Sequence, residues 1–238
     1  MSDFRRFFVE KVVEPLFIEG EEFRHAVNVL RIKSGEKIIV CDDSCYEYIC
    51  EVKNIDKRSI ELSVLEKRIS LAEPNTKVVL MSGYLKGDKN ELVVQKAVEL
   101  GASEIVFFNS SFCSAFSSDN KMLRLNKVSV EASKQCGRAK IPKVKYFDSF
   151  DLALEYGESF DNKLIALEFA EESQVDLSKI QGSTVIVVGS EGGFSKEEGD
   201  LALKKGFKTV YLGKRILRAE TASISLTAIV MNSLGELK

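Results

Sequence analysis

The sequence predicts an α/β protein of two domains: a small N-terminal domain dominated by antiparallel strands, and a C-terminal domain built on a parallel sheet. At 238 residues the chain is long for one domain and comfortable for two. Strand-like runs fill residues 1–70, whereas strand-like and helix-like segments alternate from residue 77 onward, as in parallel sheets covered on both faces. The pattern changes around Pro74. We therefore expect domains at residues 1–72 and 73–238.

The N-terminal domain is predicted to be a small β-barrel-like module. Residues 59–64 alternate apolar and polar side chains with the period of two that is typical of a half-buried strand. One helix is expected at residues 21–31, where Phe23, Val27 and Leu30 share a face. The expected strands are residues 5–10, 37–42, 46–53 and 59–65.

The C-terminal domain is predicted from strands and helices in alternation. Ser195 is expected to cap one helix, since Glu198 completes a capping box, and Thr221 is expected to cap the last helix. Strands are expected at residues 77–82, 104–108, 143–147, 163–168, 184–189 and 208–212. Helices are expected at residues 89–100, 120–137, 150–156, 196–205 and 222–234.

Composition narrows the class of protein. A hydrophobic content of 45% and a charged content of 29% are ordinary for a soluble protein. No apolar run approaches membrane-spanning length and the N-terminus lacks a signal-peptide pattern, so we expect a cytoplasmic protein without a membrane partner. Cys41, Cys45 and Cys50 lie close together but lack the paired spacing of zinc ligands, so we expect no metal site.

The positive charges are concentrated although the net charge is only −2. Residues 132–147 hold five lysines and arginines and no acid, and residues 201–219 hold six and no acid. Such segments indicate either a focused contact with a polyanion or two solvated faces.

A glycine-rich segment at residues 189–195, here called the glycine loop, follows a strand-like run and precedes a predicted helix. Glycine lets the main chain approach a ligand closely, and a helix N-terminus adds positive potential. The loop is neither a dinucleotide fingerprint nor a P-loop, and Glu191 would repel a phosphate. A neutral or cationic ligand fits this loop, and a simple tight turn is the alternative.

A second segment, residues 212–222 and here called the arginine loop, combines Arg215 and Arg218 with Glu220 and Thr221 before an apolar helix. Arginine suits planar, bidentate recognition of a phosphate or a base edge. A carboxylate at Glu220 is favoured beside a helix N-terminus. An exposed loop with solvated arginines is the alternative.

The two loops, in this order, resemble those of the bacterial 16S ribosomal RNA uracil-N3 methyltransferases of the SPOUT superfamily. The glycine loop reads Gly-Ser-Glu-Gly-Gly-Phe-Ser, and the arginine loop reads Leu-Gly-Lys-Arg-Ile-Leu-Arg-Ala-Glu-Thr-Ala. Further matching signatures lie at residues 5–9, 25–36, 95–101 and 131–142, so the resemblance covers nearly the whole chain. It implies a PUA-like RNA-binding N-terminal domain and a C-terminal SPOUT domain with a parallel sheet and a trefoil knot, working as a homodimer.

The resemblance also implies a cofactor, a substrate and site residues. S-adenosylmethionine would be held by residues 167–170, the glycine loop and the arginine loop, and the substrate would be 16S ribosomal RNA of the small ribosomal subunit. The cofactor-binding residues would be Leu167, Glu168, Gly189, Glu191, Gly192, Gly193, Leu212, Gly213, Ile216, Leu217, Thr221 and Ala222. The catalytic residues would be Arg218, Glu220 and, across the dimer, Arg138. The RNA-binding residues would be Arg5, Arg6, Arg31, Lys86, Lys134 and Arg215.

One departure from the family pattern is Cys113, which stands where an arginine is usual. Three other functions stay open: a non-catalytic RNA-binding or ribosome-assembly protein, another transferase or nucleotide-binding enzyme, and a SPOUT methyltransferase acting on tRNA or on a ribose 2′-hydroxyl. The missing P-loop and dinucleotide fingerprints count against the second. The PUA-like module favours ribosomal RNA over the third.

Overall fold

The computed structural model describes residues 4–168, 170 and 172–237, and the chain divides into two compact units. Unit 1 holds the described residues up to Glu73 together with Ser133–Ile141. Unit 2 holds Pro74–Ala132 and the described residues from Pro142 onward. Unit 1 is therefore built from two stretches that lie far apart in the sequence.

Unit 1 is a curled sheet of five strands, which are β1 (Arg6–Phe8), β2 (Leu16–Glu19), β3 (Lys37–Cys41), β4 (Tyr46–Ile55) and β5 (Ser59–Ile69). Their order in the sheet is β1-β3-β4-β5-β2. The edge strand β1 pairs with β3 in parallel, and the other pairings are antiparallel. The small antiparallel module that the sequence predicts is confirmed.

The short strand β2 was missed by the sequence prediction. Leu16 and Ile18 are buried, whereas Phe17 and Glu19 are exposed, so the strand does alternate. The alternation is hidden in the sequence because the exposed Phe17 is as apolar as its buried neighbours. Pairing with β5 therefore decides which face of this strand is buried.

The predicted helix at residues 21–31 is shorter in the structure and changes from an α-helix to a π-helix along its length. It begins as α1 (Gly20–Arg24) and continues as a π-helical segment, His25–Val29. Arg31 has a φ of 53°, in the left-handed region, so the helical backbone cannot continue through it. The helix therefore ends before the residue that the sequence prediction gave as its end.

The core of unit 1 combines apolar side chains from its strands with two buried thiols. Phe7, Ile38 and Ile60 are fully buried and belong to one cluster. Burial raises the pKa of Cys41 to about 11 and that of Cys50 to about 12. Both are free cysteines and stay protonated at neutral pH.

A buried carboxylate is tied to two arginines inside unit 1. Glu47 accepts hydrogen bonds from Arg6 Nη2 at 2.7 Å and from Arg68 Nε at 2.6 Å. The side chains of Arg6 and Glu47 are each only 8% exposed. Burial raises the pKa of Glu47, but the hydrogen bonds and positive charges of both arginines outweigh burial, and the net pKa is lowered. Both charges of the Arg6–Glu47 pair are thus satisfied within the unit.

Unit 2 is a six-stranded sheet in which all neighbouring strands are parallel. Its strands are β6 (Val78–Gly83), β7 (Glu104–Phe108), β8 (Lys143–Phe147), β9 (Asn162–Ala166), β10 (Thr184–Val188) and β11 (Lys208–Thr209). Its helices are α2 (Lys89–Glu99), α3 (Asp119–Cys136), α4 (Phe150–Gly157), α5 (Lys196–Lys204) and α6 (Ala219–Ser233), of which α3 runs on into the stretch assigned to unit 1. The parallel sheet predicted from the alternation is confirmed.

The strand order β11-β9-β10-β6-β7-β8 shows that the chain changes direction three times across the sheet, after β8, after β9 and after β10. From β6 it builds outward to β8, crosses to β9, and then inserts β10 between β9 and β6. All five residues of β10 are buried, which explains its continuous apolar run. Ligands of open α/β sheets bind where the strand order reverses, beyond the carboxyl ends of the strands.

Of the two helix caps predicted in unit 2, the one at Ser195 is confirmed and the one at Thr221 is wrong. Ser195 caps α5 and forms the expected capping box with Glu198, whose side chain accepts from the Ser195 N–H. Thr221 does not cap α6, because the helix already begins at Ala219 and Arg218 is its N-cap residue. No helix in the described part of the chain is long and apolar enough to span a membrane.

We predict that Glu47→Gln destabilises the protein by about 3 kcal/mol, because it leaves two arginines without their buried counter-charge. Denaturant unfolding measures the change. The control is Glu51→Gln on the same strand, whose partner Lys53 is 48% exposed, and it should cost less than about 1 kcal/mol. Equal losses for the two variants would contradict the prediction.

The contribution of Glu47 also depends on pH. The pKa of Glu47 is lowered from 4.5 in the folded protein, so its stabilisation is fully present above pH 4.5 and is lost as the pH falls through the folded pKa. The difference in unfolding free energy between wild type and Glu47→Gln should therefore be constant near neutrality and shrink in acid. A difference that grows in acid would contradict this assignment.

Candidate active site

The central strands of unit 2 bring three loops to one edge of the sheet. In register, Val188 of β10 lies opposite Ser82 of β6 and Ala166 of β9. Gly83, the last residue of β6, and Gly189, the first residue after β10, are therefore neighbours, although more than one hundred positions separate them in the sequence. The glycine loop lies in the middle of this edge.

The glycine loop folds back tightly on itself. The Gly193 N–H donates to the Ser190 carbonyl at 3.0 Å, and Gly193 has a φ of 69° that favours glycine. A Cβ at Gly83 would lie 2.5 Å from the Ser190 nitrogen, which leaves no room for a side chain. A Cβ at Gly192 would lie 2.6 Å from the Cβ of Phe112. The loop backbone is thus held closely between two other segments of unit 2.

The segment after β9 closes another side of the glycine loop. Leu167 is buried, and the Glu168 carboxylate accepts from the Phe194 N–H at 3.4 Å. A Cβ at Gly193 would collide with the same carboxylate. The predicted cofactor segment, residues 167–170, therefore does lie against the glycine loop, although Phe169 within it falls outside the described residues.

The arginine loop is irregular and largely exposed before it enters α6. Gly213 has a φ of 96°, and the Ile216 side chain is 99% exposed. Arg215 and Arg218 are also exposed. Leu212 and Leu217 are partly buried. This loop presents apolar and cationic side chains together.

Acidic side chains surround the glycine loop. The Glu191 carboxylate accepts from the Lys86 N–H at 3.1 Å and from Lys89 Nζ at 2.9 Å. Lys89 Nζ is also 4.0 Å from Glu220 Oε2, in the first turn of α6. Burial raises the pKa of Glu191, but the hydrogen bonds from Lys89 and Lys86 outweigh it and lower the net pKa. The sequence prediction selected Glu191 and Glu220 but missed Lys89, which lies close to both.

Some buried polar atoms near this edge accept or donate no hydrogen bond within the described residues. They are Ser190 Oγ in the glycine loop and, on α6, Glu220 Oε2 and Ser223 Oγ. Buried polar groups in proteins are nearly always paired, and an orphaned one points to a ligand or a water. These three atoms can therefore still form a hydrogen bond with a bound ligand or a water.

An open pocket of about 610 Å³ lies at the N-terminus of α5, where Ser195 and Glu198 are among its lining residues. Its lining includes Asp148, Asp151 and Glu197. These carboxylates disfavour an anionic ligand, and neither the glycine-loop glycines nor the arginine loop lines this pocket. The close packing around the glycine loop identifies the candidate site better than the size of this pocket does.

Several predicted site residues lie in unit 1 and form pairs there. The Arg138 side chain is 5% exposed and its Nη2 is 3.0 Å from Glu73 Oε2, so its charge is neutralised within the unit. Lys134 Nζ is 2.6 Å from Glu22 Oε1. Arg6 has the buried pairing with Glu47 described above. These pairings give all three cations structural roles that the basic runs in the sequence do not reveal.

Other predicted RNA-binding residues are more accessible. Arg5 and Arg31 of unit 1 are exposed, although Arg5 Nη1 donates to the Leu30 carbonyl at 2.6 Å. Lys86 and Arg215 of unit 2 are exposed. Cys113 Sγ lies 3.3 Å from the Ser110 nitrogen, a contact that stabilises its own loop.

Unit 2 is a parallel sheet with the glycine loop at its carboxyl edge and unit 1 is a curled sheet, and family models of the RNA methyltransferase class match both. The family profile described as RNA methyltransferase domain matches residues 72–231, and the RNA methyltransferase PUA domain matches residues 18–65. The chain belongs to the bacterial family of ribosomal RNA small subunit methyltransferase E, and its similarity to individual members supports this.

Two relatives and one solved structure illustrate the similarity. The Bacillus subtilis protein named ribosomal RNA small subunit methyltransferase E is 33% identical, over 94% of this chain and 95% of that protein. The Mesomycoplasma hyopneumoniae protein of the same name is 35% identical, over 93% and 96%. The Neisseria gonorrhoeae enzyme of that name, bound to S-adenosyl methionine, is 25% identical with a TM-score of 0.85, over 97% of this chain and 98% of that one.

We predict that Gly83→Ala destabilises the protein by about 1–3 kcal/mol, because the new methyl group meets the Ser190 backbone and a main chain cannot move aside as a side-chain end can. Gly87→Ala is the control: Gly87 has a φ of 65° but no atom within 4 Å of its Cβ position, so only backbone strain of about 1 kcal/mol applies. Denaturant unfolding compares the two, and a Gly83→Ala cost no greater than that of Gly87→Ala would contradict the close approach.

Proposed function

We propose that this protein transfers a methyl group from S-adenosylmethionine to N3 of a uridine in the 16S ribosomal RNA of the small ribosomal subunit. Membership of a family whose relatives are named for small-subunit ribosomal RNA methylation supports the reaction and the substrate. The observation that carries the proposal is the closely packed cradle at the glycine loop, where a side chain at Gly83, Gly192 or Gly193 would meet Ser190, Phe112 or Glu168.

The chemistry of the cradle fits a cationic cofactor. Glu168, Glu191 and Glu220 supply acidic groups at or beside the glycine loop, an arrangement that favours a sulfonium and opposes a free phosphate. Leu167 and Ile216 supply apolar surface for the uncharged parts of the molecule. The orphaned Ser190 Oγ offers a hydrogen bond. We assign cofactor binding to the predicted residues of the three loops on this basis.

When bound, S-adenosylmethionine supplies an electrophilic methyl group on its sulfonium. The N3 atom lies on the pairing edge of uracil, so the base must be unpaired or turned out of a helix before N3 is reached. The N3 proton must also be lost as the nitrogen attacks. We assign to Arg218, which is exposed at the start of α6, the stabilisation of the negative charge that develops on the imide and its carbonyls. Arg215 in the same loop is assigned to RNA phosphate.

Unit 1 is assigned to RNA binding through its exposed cations. Arg5 and Arg31 are the predicted RNA-binding residues of this unit that remain exposed. The homodimer and the trefoil knot implied by the resemblance are part of the proposal, whereas the buried Arg138, paired with Glu73, is assigned a structural role in place of the implied action across the dimer. A cytoplasmic location follows from the proposed ribosomal substrate.

The experiment that tests the proposal uses small ribosomal subunits that lack the modification. The protein is incubated with these subunits and S-adenosylmethionine carrying a labelled methyl group, and the methylated nucleotide is mapped by mass spectrometry. We expect label on N3 of one uridine of 16S ribosomal RNA. Label on another atom or another RNA would overturn the substrate assignment, and no label would overturn the enzyme assignment.

We predict that Arg218→Ala keeps the affinity for S-adenosylmethionine but lowers kcat by about 100-fold or more, as loss of a group that stabilises developing charge does elsewhere. Calorimetry measures cofactor binding, and label incorporation into unmodified subunits measures turnover. Lys179→Ala removes a cation that is 81% exposed and paired with Asp176, and it serves as the control with unchanged turnover. Undiminished turnover by Arg218→Ala would reject the assigned role.

A further inference from the structure

Three separate segments of unit 2 meet at one ammonium group. Lys89 is the first residue of α2, Glu191 lies in the glycine loop, and Glu220 lies in the first turn of α6. Lys89 Nζ is 2.9 Å from Glu191 Oε1 and 4.0 Å from Glu220 Oε2. A single cation thus holds two carboxylates that belong to two of the proposed cofactor-binding loops.

This cluster is more shielded than an ordinary surface ion pair. The side chains of Lys89, Glu191 and Glu220 are 31%, 29% and 14% exposed. Attraction between charges strengthens as water is excluded, and a cation shared by two anions forms a network rather than an isolated pair. Without Lys89 the two carboxylates would repel each other. The ammonium of Lys89 therefore links the glycine loop to the start of α6.

Glu220 retains an unused acceptor in this cluster. The 4.0 Å separation from Lys89 Nζ is an ionic contact but is too long for a hydrogen bond. Glu220 Oε2 is buried and accepts no hydrogen bond from the described residues. A carboxylate oxygen removed from water in this way needs a donor. Arg218, to which we assign charge stabilisation in the reaction, lies two residues before Glu220 in the arginine loop.

We propose that Lys89 is a positioning residue of the methyl-transfer site. Its ammonium aligns the glycine loop with the start of α6 and holds Glu220 so that Oε2 accepts a hydrogen bond from an N–H donor of the bound molecules. This donor is either the amino group of the cofactor or the imide of the target base. The inference rests on the proposed function and adds a residue that binds neither molecule itself.

The experiment compares Lys89→Met with Lys89→Arg, which keeps the charge, and with Lys96→Met. Lys96 is a matched control because it lies on the same helix and pairs with Glu99 of that helix. The measurements are the Kd for S-adenosylmethionine, kcat and KM with unmodified small subunits, and hydrogen exchange of residues 189–195. We expect Lys89→Met to lower kcat/KM by up to about 100-fold, Lys89→Arg to restore most of it, and Lys96→Met to behave as wild type.

Lys89→Met should also speed hydrogen exchange in the glycine loop, since Glu191 loses its partner. A Glu220→Gln variant and the double variant test the link to α6, and effects that fail to add would demonstrate coupling between Lys89 and Glu220. A weaker cofactor Kd in Glu220→Gln assigns the donor to the cofactor. An unchanged Kd with a lower kcat in Glu220→Gln assigns the donor to the base.

Three outcomes would overturn the inference: Lys89→Met indistinguishable from Lys96→Met, strictly additive effects of Lys89→Met and Glu220→Gln, or no rescue by Lys89→Arg. Failure of the proposed function has a different signature, in which wild-type protein neither binds the cofactor nor transfers a methyl group. Hydrogen exchange of the glycine loop still decides in that case whether Lys89 holds it: faster exchange in Lys89→Met supports the link, and unchanged exchange rejects it.

Discussion

The parallel pairing of β6 with β10 is the constraint on which the site depends. Because Ser82 and Val188 are opposite each other in register, Gly83 lies against the backbone of Gly189 and Ser190 and has no room for a side chain. The glycine loop then has to fold back at once, which turns Glu191 toward α2. A larger residue at Gly83 would push the loop away from the sheet edge, and the contacts of Glu191 would be lost with it.

The negative and positive side chains around the glycine loop suit two different reactants. Carboxylates of Glu168, Glu191 and Glu220 lie at or beside the glycine loop, whereas Arg215 and Arg218 lie exposed in the arginine loop. A cationic cofactor and an anionic RNA would each meet the opposite charge in the same region. Since charges of either sign alone would attract only one of the two reactants, the mixture suits a reaction that joins them.

Unit 1 shows why a basic run in a sequence is a weak guide to an RNA surface. The segment containing Lys134 and Arg138 has no acid within it, but the fold pairs these residues with Glu22 and Glu73 from the distant N-terminal stretch. Partners of this kind are invisible to local charge counting because they are more than sixty positions away. Of the RNA-binding residues predicted in this unit, Arg5 and Arg31 are the exposed ones, and neither lies in a basic run.

The sequence by itself determined whatever depends on a few neighbouring residues. It predicted the alternation of strands and helices, the buried run of β10 and the capping box at Ser195, because periodicity and capping act over one or two turns. The signatures of the two loops also identified the family. Tertiary structure alone decided the strand order, the buried face of β2, the start of α6 and the meeting of Lys89 with Glu191 and Glu220. These features depend on contacts between segments far apart in the chain, and local patterns carry no information about which distant segments will meet.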